Sequence, residues 1–151
     1  YFLESNSVSN FLVEIGGEIV CKGINSSKGT PWKIGIQNPN IESDIPFLNS
    51  VELNNKAMAT SGTYRKYKID KNGRRYTHII DTKTGYPSRT NILSISVIAE
   101  NCMTADAYAT ALQTMNLEEL SNFLSNHPEL KVYIIFENEN KELEYKSFNG
   151  F

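Results

Sequence analysis

Asp106 and Thr110 are the two residues whose types and spacing most directly suggest chemistry. They are four positions apart in a segment that predicts a helix, so both side chains lie on one helical face. A carboxylate beside a hydroxyl offers the hard oxygen ligands that magnesium and calcium prefer. A structural role explains the same pair: Asp106 would complement the helix dipole, and Thr110 would bond a preceding carbonyl or face solvent. From the spacing alone, the structural interpretation is favoured.

His78 is the second candidate. It lies where a predicted strand runs into a turn rich in hydroxyl side chains and containing Gly85. A histidine in this setting can serve as a general acid–base near neutral pH. It can equally fill a cross-strand position without a catalytic role, and the residues alone leave both interpretations open.

A Thr-Ser-Gly sequence at residues 60–62 is the third candidate. We expect it to form a turn before a strand, and such a turn can present successive backbone N–H groups to a phosphate. A plain β-turn without a ligand also explains the motif and is preferred from this motif alone. The pair Gly16-Gly17 lacks the glycine spacing of dinucleotide-binding Rossmann folds, so it implies no such site.

The elements that must position these residues are mostly strands joined by hairpins. Alternating and β-branched runs predict strands at Phe11–Ile15, Glu18–Lys22, Trp32–Gln37, near Val51, Tyr64–Asp70, Arg74–Ile80, Ile92–Ala99, Leu130–Phe136 and Leu143–Phe148. Asn72-Gly73 predicts a tight hairpin turn. An apolar stripe at helical spacing predicts a helix over Thr104–Met115 with Thr104 as its N-cap. A capping-box pattern starts a second helix at Asn116, which ends near Asn126.

This pattern of elements predicts an α+β fold. These strands and the two helices would form an antiparallel, hairpin-rich sheet with the helices packed on one face. The 151 residues fit a single domain. Residues 1–10 have the character of the tail of a helix that began upstream. We therefore expect residues 1–151 to be the C-terminal portion of one domain whose N-terminal part is missing.

The composition narrows the classes of protein. Fifteen basic residues against 17 acidic ones give a net charge of −2, without the basic excess of a general nucleic-acid binder. A small anionic ligand stays compatible, because a metal ion or a cluster of backbone N–H groups can hold phosphate. Cys21 and Cys102 belong to no Cys-x-x-Cys pair or Cys/His cluster, so a zinc site is not supported. No apolar run approaches the roughly 18–20 residues of a membrane span.

Five motifs follow one another along the chain. They are Val13-Glu-Ile-Gly-Gly-Glu-Ile19, Trp32-Lys-Ile-Gly-Ile-Gln-Asn-Pro39, Ala59-Thr-Ser-Gly-Thr-Tyr64, His78-Ile-Ile-Asp81 with Thr84-Gly-Tyr-Pro87, and Ala105-Asp-Ala-Tyr-Ala-Thr-Ala-Leu112. In this order and spacing they closely resemble the ApbE family of FAD:protein FMN transferases. The resemblance runs from about Phe11 to Leu112, with a compatible tail, and implies the fold of that family.

The resemblance implies a reaction at the pyrophosphate of FAD. In this family FAD binds with its pyrophosphate near a magnesium ion, and a threonine hydroxyl of a client protein attacks the phosphorus on the FMN side. AMP leaves, and FMN stays attached through a phosphodiester. Clients are subunits of membrane-bound redox pumps. The family is mostly exported and often lipid-anchored, so the resemblance implies a location outside the cytoplasm, at the membrane.

The resemblance also implies roles for the first two candidates. Asp106 and Thr110 match the family's magnesium ligands, and Ala109 beside them would contribute its backbone carbonyl. His78 matches the histidine proposed as the base for the attacking hydroxyl. The resemblance therefore reverses the preference for a structural role at Asp106 and Thr110, and it shifts His78 towards function.

Four further residues are expected to bind FAD together with His78. Ile79 and Ile80 would line the flavin site, and Ser61 and Gly62 belong to the Thr-Ser-Gly motif. One residue departs from the family pattern: Thr82 stands where proline is usual, which predicts a looser turn beside the site.

Three functions stay open at this point. They are FMN transfer to a protein threonine, hydrolysis of FAD to FMN and AMP, and flavin binding without turnover. A histidine placed to deprotonate a hydroxyl favours transfer, and the presence of both metal ligands disfavours a purely binding role. The family's upstream segment, which includes a Lys-Gly motif and contacts to the adenine and the flavin, would precede Tyr1. This chain alone is therefore expected to hold only part of the FAD pocket.

Overall fold

The structure is a computed structural model, and it describes residues 2–64, 67–69, 71, 75–88 and 90–151. The strands within these residues are β1 (Phe11–Ile15), β2 (Glu18–Lys22), β3 (Trp32–Gln37), β4 (Phe47–Leu53), β5 (Ala57–Gly62), β6 (Tyr67–Ile69), β7 (Arg75–Thr77), β8 (Ile92–Ala99), β9 (Lys131–Glu137) and β10 (Leu143–Phe148). The helices are α1 (Phe2–Ser5), α2 (Cys102–Leu112) and α3 (Leu117–Ser125). No helix in the described part of the chain is long and apolar enough to cross a membrane.

Six strands form the main sheet, in the order β1-β2-β5-β8-β9-β10, and every neighbouring pair is antiparallel. The strands β3 and β4 form a separate two-stranded sheet, and β6 and β7 form another. The predicted α+β class with an antiparallel, hairpin-rich sheet is confirmed. The pairing of β6 with β7 confirms the hairpin there, whereas its predicted Asn72-Gly73 turn lies outside the described residues.

The middle strands β8 and β9 of the main sheet are buried on both faces. Because side chains alternate along a strand, Ile95 and Val97 of β8 enter one core and Ile98 enters the other. The first core contains the apolar stripes of α2 and α3, which confirms the prediction that helices cover one face. The second core is closed by residues of β3 and β4, including Ile34 and Leu53. The small sheet therefore covers the face that the helices leave open.

The start of α2 differs from the prediction. The N-cap is Asn101, not Thr104: the Asn101 side chain accepts a hydrogen bond from the Thr104 backbone N–H at 2.9 Å, and the helix begins at Cys102. Asparagine is a strong N-cap residue, and its carbonyl oxygen reaches the third residue of the helix, so it takes the position assigned to Thr104. The helix ends at Leu112, before the predicted Met115.

The start of α3 agrees with the prediction. Asn116 is its N-cap, and its side chain accepts from the backbone N–H of Glu119 at 2.9 Å. The Glu119 side chain in turn accepts from the Asn116 backbone N–H at 3.1 Å. This reciprocal pair is the predicted capping box, and it fixes the Glu119 carboxylate at the start of the helix.

Two strands are longer or differently placed than expected. The strand near Val51 begins at Phe47 and pairs with β3 along its whole length. Residues 57–62, predicted to include a Thr-Ser-Gly turn, form the central strand β5 instead. That prediction was wrong because Ala57, Met58 and Ala59 are small or apolar enough to be buried between two cores, and this burial outweighs the local turn tendency of serine and glycine.

Candidate active site

A large cleft brings most of the predicted site residues together. It encloses about 1660 Å³ and is bordered by β2, β3, β4, β5, α2 and the segment that follows β7. Seven predicted site residues line it: Ser61, Gly62, His78, Ile79, Ile80, Asp106 and Thr110. Ala109 is absent from the lining. Residues that are far apart in sequence therefore meet in one concavity, which is the usual form of a small-molecule site.

The helix α2 presents one face to the core and another to the cleft. Ala105, Ala109 and Leu112 are fully buried in the first core, whereas Asp106 and Thr110 are exposed and line the cleft. The small alanines allow the helix to pack closely against β5 and β8. This packing places the carboxylate and the hydroxyl one helical turn apart beside the sheet.

Ala109 is on the core-facing side of α2 and was predicted to bind the metal through its backbone. Its side chain is buried in the core, and the residue is in the last turn of α2, where the carbonyl groups of a helix are not all used by helical hydrogen bonds. Its backbone carbonyl as a metal ligand therefore stays a prediction.

The Ser61 and Thr110 hydroxyls are in contact. Their oxygens are 3.1 Å apart, which joins β5 to α2 across 49 positions of sequence. On the other side of β5, Ser61 pairs with Ile95 and Gly62 with Ser94 of β8. These two residues therefore belong to a strand, and the array of N–H groups that a turn could offer to a phosphate is not formed there. What Ser61 offers the cleft is its hydroxyl.

Gly62 is a glycine for a steric reason. A Cβ built on it would lie 2.8 Å from the ring of Tyr64, which is closer than real contacts allow. The Tyr64 ring thus occupies the space beside the strand, and both residues line the cleft. Any larger residue at position 62 would displace this ring.

His78 directly follows β7, and a turn that closes between Ile80 and Pro87 comes after it. The Asp81 N–H donates to the Tyr86 carbonyl at 2.9 Å, and Ile80 bridges Pro87. The Asp81 carboxylate accepts from the Lys83 backbone N–H at 2.9 Å and from the Thr84 hydroxyl at 3.1 Å. The Asp81 side chain therefore stabilises the turn by bonding to groups within it, which aspartate commonly does in turns.

Within this segment the isoleucines differ in exposure. The Ile79 side chain is buried, whereas Ile80 is 46% exposed on the cleft wall and offers apolar surface there. His78 is exposed to solvent in the cleft.

The cleft is acidic. Five carboxylates line its described part, namely Glu14, Glu18, Asp81, Asp106 and Glu119, against a single lysine, Lys83. The Lys83 ammonium is 3.3 Å from Glu119, so this lysine is already paired. The hydrogen bond from the Asn116 backbone, followed by Lys83, lowers the pKa of the Glu119 carboxyl. A phosphate group entering the described part of this cleft would meet net negative charge.

Cys102 is the first residue of α2, the helix that carries Asp106. Burial raises its pKa, and the carboxylates of Glu18 and Asp106 raise it further. The group is therefore a protonated thiol at neutral pH and a poor nucleophile.

The donor chemistry at Asp106 fits a magnesium ion. One carboxylate and two hydroxyls, from Thr110 and Ser61, offer oxygen only, and the described residues contain no group of three or more His, Cys, Asp or Glu side chains that could hold a metal. Magnesium is usually held by one or two carboxylates, several waters and substrate phosphates, so it does not need such a cage. The acidity of the cleft favours the same ion, because a cation would offset the repulsion of a phosphate ligand.

Some lining residues were not predicted. Phe47 and Gly35 lie on paired strands and were missed: Phe47 belongs to none of the five motifs, and Gly35 lies in the Trp32–Pro39 motif but was assigned no role. The hydrogen bond between Ser61 and Thr110 was missed because the two residues are remote in sequence. A glycine diagonal to an aromatic residue on a paired strand is a signal that depends on the strand register, so it could have pointed to Phe47 and Gly35 only once the pairing was known.

Comparison with known proteins finds similar proteins that are named as flavin transferases. The sequence model described as the ApbE family matches residues 1–134. A FAD:protein FMN transferase of Vibrio cholerae is 38% identical over 146 residues, which are 97% of this chain and 42% of the relative. One of Haemophilus influenzae is 41% identical over 138 residues, which are 91% of this chain and 39% of the relative.

Solved structures agree with the sequence comparison. The flavin transferase ApbE from Vibrio cholerae superposes with a TM-score of 0.82 at 35% identity and covers 99% of this chain and 46% of that one. The apo form of the flavinyl transferase ApbE from Pseudomonas stutzeri gives a TM-score of 0.79 at 29% identity, with coverage of 97% and 43%. The chain therefore spans less than half the length of each of these relatives.

Proposed function

The chain belongs to the ApbE family, and from that premise we propose that it forms part of an enzyme that transfers FMN from FAD to a threonine hydroxyl of a client protein. The observation that carries the proposal is the meeting of Asp106, Thr110, Ser61 and His78 in one cleft. The names of the relatives include FAD as the donor and a protein as the acceptor.

The proposed reaction exchanges one phosphorus–oxygen bond for another. The threonine oxygen forms a bond to the FMN phosphorus, and the bond from that phosphorus to the bridging oxygen breaks. The bridging oxygen leaves with AMP. The hydroxyl proton passes to His78, whose exposure in the cleft leaves it accessible to an incoming side chain.

The chain's own groups position the reactants. Asp106, Thr110 and Ser61 would hold magnesium, which when bound supplies charge neutralisation at the pyrophosphate. The exposed Ile80 offers an apolar contact to the flavin, and its bridge to Pro87 closes the turn that is organised by Asp81. Preorganised positioning of this kind is the main contribution of a protein to phosphoryl transfer.

Hydrolysis is the competing reaction. The cleft is wide and His78 is exposed, so water can reach the position proposed for the threonine hydroxyl. The same residues would then produce free FMN and AMP.

The location proposed for the protein is outside the cytoplasm at the membrane, where its client would be a subunit of a redox pump.

The test uses the intact protein with FAD, Mg²⁺ and an acceptor peptide containing one threonine. We expect fluorescent flavin covalently attached to the peptide and one AMP released per label. A peptide with valine in place of the threonine is the matched control and should stay unlabelled. Free FMN and AMP without labelling would replace transfer by hydrolysis, and FAD binding without turnover would leave only a binding role.

A further inference from the structure

Phe47 exposes its ring to the cleft. Its side chain is 58% exposed, it lines the cleft wall, and it belongs to neither of the two core clusters. A large apolar side chain that is exposed in a ligand-sized cleft indicates a binding role more strongly than one that is exposed on a convex surface. The ring therefore contributes little to the core and has an open side towards the cleft.

Gly35 provides the other side of the ring. A Cβ built on this glycine would lie 2.6 Å from Cδ1, 2.9 Å from Cε1 and 3.0 Å from Cγ of Phe47. The Phe47 ring thus rests directly on the backbone of the neighbouring strand. Gly35 is in β3 and does not adopt a positive φ, so glycine is required here by space and not by backbone conformation.

The register of β3 and β4 explains how the two residues meet. Phe47 is opposite Gln37, and a bulge between Ile36 and Gln37 shifts the pairing, so that Asn49 is opposite Ile36. Gly35 is two positions from Gln37 on the same strand face, which makes it the diagonal neighbour of Phe47. A bulge increases local twist and redirects side chains, and here it accompanies a ring directed across β3.

The charge of the cleft indicates what the Phe47 ring could contribute to ligand binding. Five carboxylates against one paired lysine mean that the described part of the cleft offers little electrostatic attraction to a dinucleotide. Stacking of an aromatic ring on a ligand ring does not depend on the sign of the cleft's charge. It contributes affinity where the carboxylates do not.

We propose that Phe47, seated on Gly35, is a stacking surface for one of the two planar ring systems of FAD, the isoalloxazine or the adenine. The inference rests on the proposed function in taking FAD as the ligand. Phe47 is a specificity-determining contact that selects a flat aromatic heterocycle.

The experiment titrates FAD, riboflavin and ADP into the intact protein with Mg²⁺ by calorimetry. Aromatic stacking on a base contributes about 1–3 kcal/mol, so Phe47→Leu should weaken FAD by roughly 5- to 150-fold. The same variant should weaken either riboflavin or ADP by a similar factor, and this choice identifies the stacked ring. Phe47→Tyr keeps the ring and should bind within about threefold of the parent protein. Tyr145→Leu removes an exposed aromatic ring outside the cleft and should leave all three affinities unchanged.

A double-mutant cycle tests the contact between Phe47 and Gly35. Gly35→Ala displaces the ring without removing it, so it should weaken the same ligands as Phe47→Leu. In the Phe47→Leu background, Gly35→Ala should have little further effect, because the ring that it displaces is gone. Equal losses from Gly35→Ala in both backgrounds would show that the glycine serves the ligand directly, and this result would overturn the proposal.

Two other results separate this inference from the proposed function. Unchanged affinity of Phe47→Leu for both riboflavin and ADP overturns the stacking role even if FMN transfer is observed. Weakened binding in Phe47→Leu, with no transfer by the parent protein, supports the stacking role and overturns the transferase proposal. If the parent protein binds none of the three ligands, both proposals fail. Thermal unfolding of each variant excludes loss of binding through loss of fold.

Discussion

Replacing Asp106 by asparagine tests the proposed metal site with the smallest change in shape. The side chain keeps its size and stays exposed on the cleft face of α2, but it loses the one negative charge among the three oxygen donors. Thr110 and Ser61 remain as neutral ligands. The variant therefore isolates the contribution of charge to metal binding.

The magnitude follows from the charges. At an effective dielectric constant of about 20, two unit charges about 4 Å apart interact by about 4 kcal/mol, and a divalent ion doubles this value. Dehydration of the carboxylate and the ion offsets about half of it or more. A net loss of about 3–4 kcal/mol remains, which corresponds to magnesium binding weakened by roughly 150- to 700-fold. Thr110→Val removes a neutral oxygen and should cost less, about tenfold.

The assay measures Mg²⁺ affinity by calorimetry in the presence of FAD and the Mg²⁺ dependence of AMP release. Glu118→Gln is the matched control, because it removes an exposed carboxylate from the first turn of α3 that does not line the cleft. A magnesium affinity of Asp106→Asn within threefold of the parent protein would refute the assignment. Equal losses in Asp106→Asn and Glu118→Gln would attribute the effect to overall charge.

Three further predictions concern other parts of the molecule. His78→Ala should reduce the turnover number for transfer by about 10²- to 10⁴-fold while FAD affinity changes by less than about fivefold, as expected for a general base; equal losses in both would indicate a binding role. Ala109→Leu should lower stability by about 1–3 kcal/mol in thermal or urea unfolding, because the residue is fully buried against the sheet, whereas exposed Ala107→Leu should not. The pKa of Glu119 is lowered below its usual value of 4.5, chiefly by the Asn116 backbone, so its stabilising effect is present above pH 4.5 and is lost as the pH falls through the lowered pKa. Glu119→Gln should therefore be less stable than the parent protein at pH 7, and the difference should shrink in acid unfolding experiments; a difference that grows as the pH falls would contradict this.

Local signals were sufficient for much of the fold. The capping box at Asn116 and Glu119 was predictable because its two hydrogen bonds join residues three positions apart. The strands β9 and β10 were predictable because each is an apolar or alternating run beside a short turn. The N-cap of α2 was placed wrongly, since Asn101 and Thr104 both suit the position and the helix start depends on where β8 ends.

The candidate site also has parts that were predictable from the sequence and parts that were not. The order of five motifs identified the family, and all the predicted site residues except Ala109 line one cleft. The placement of Ser61 could not be predicted, because its neighbours Thr110 and Ile95 are 49 and 34 positions away in sequence. Burial of the first half of β5 outweighed the local turn signal at Ser61 and Gly62.

The sequence by itself determined the residue types of the site, their order along the chain and the family. Those features depend on covalent sequence and on short-range hydrogen bonds. Only the tertiary structure decided that Ser61 contacts Thr110, that the described part of the cleft is lined by five carboxylates and one lysine, and that Phe47 rests on Gly35. These features depend on strand register and on packing between distant segments, and one residue of register change would direct the side chains of Ser61 and Phe47, which lie on strands, to the opposite face.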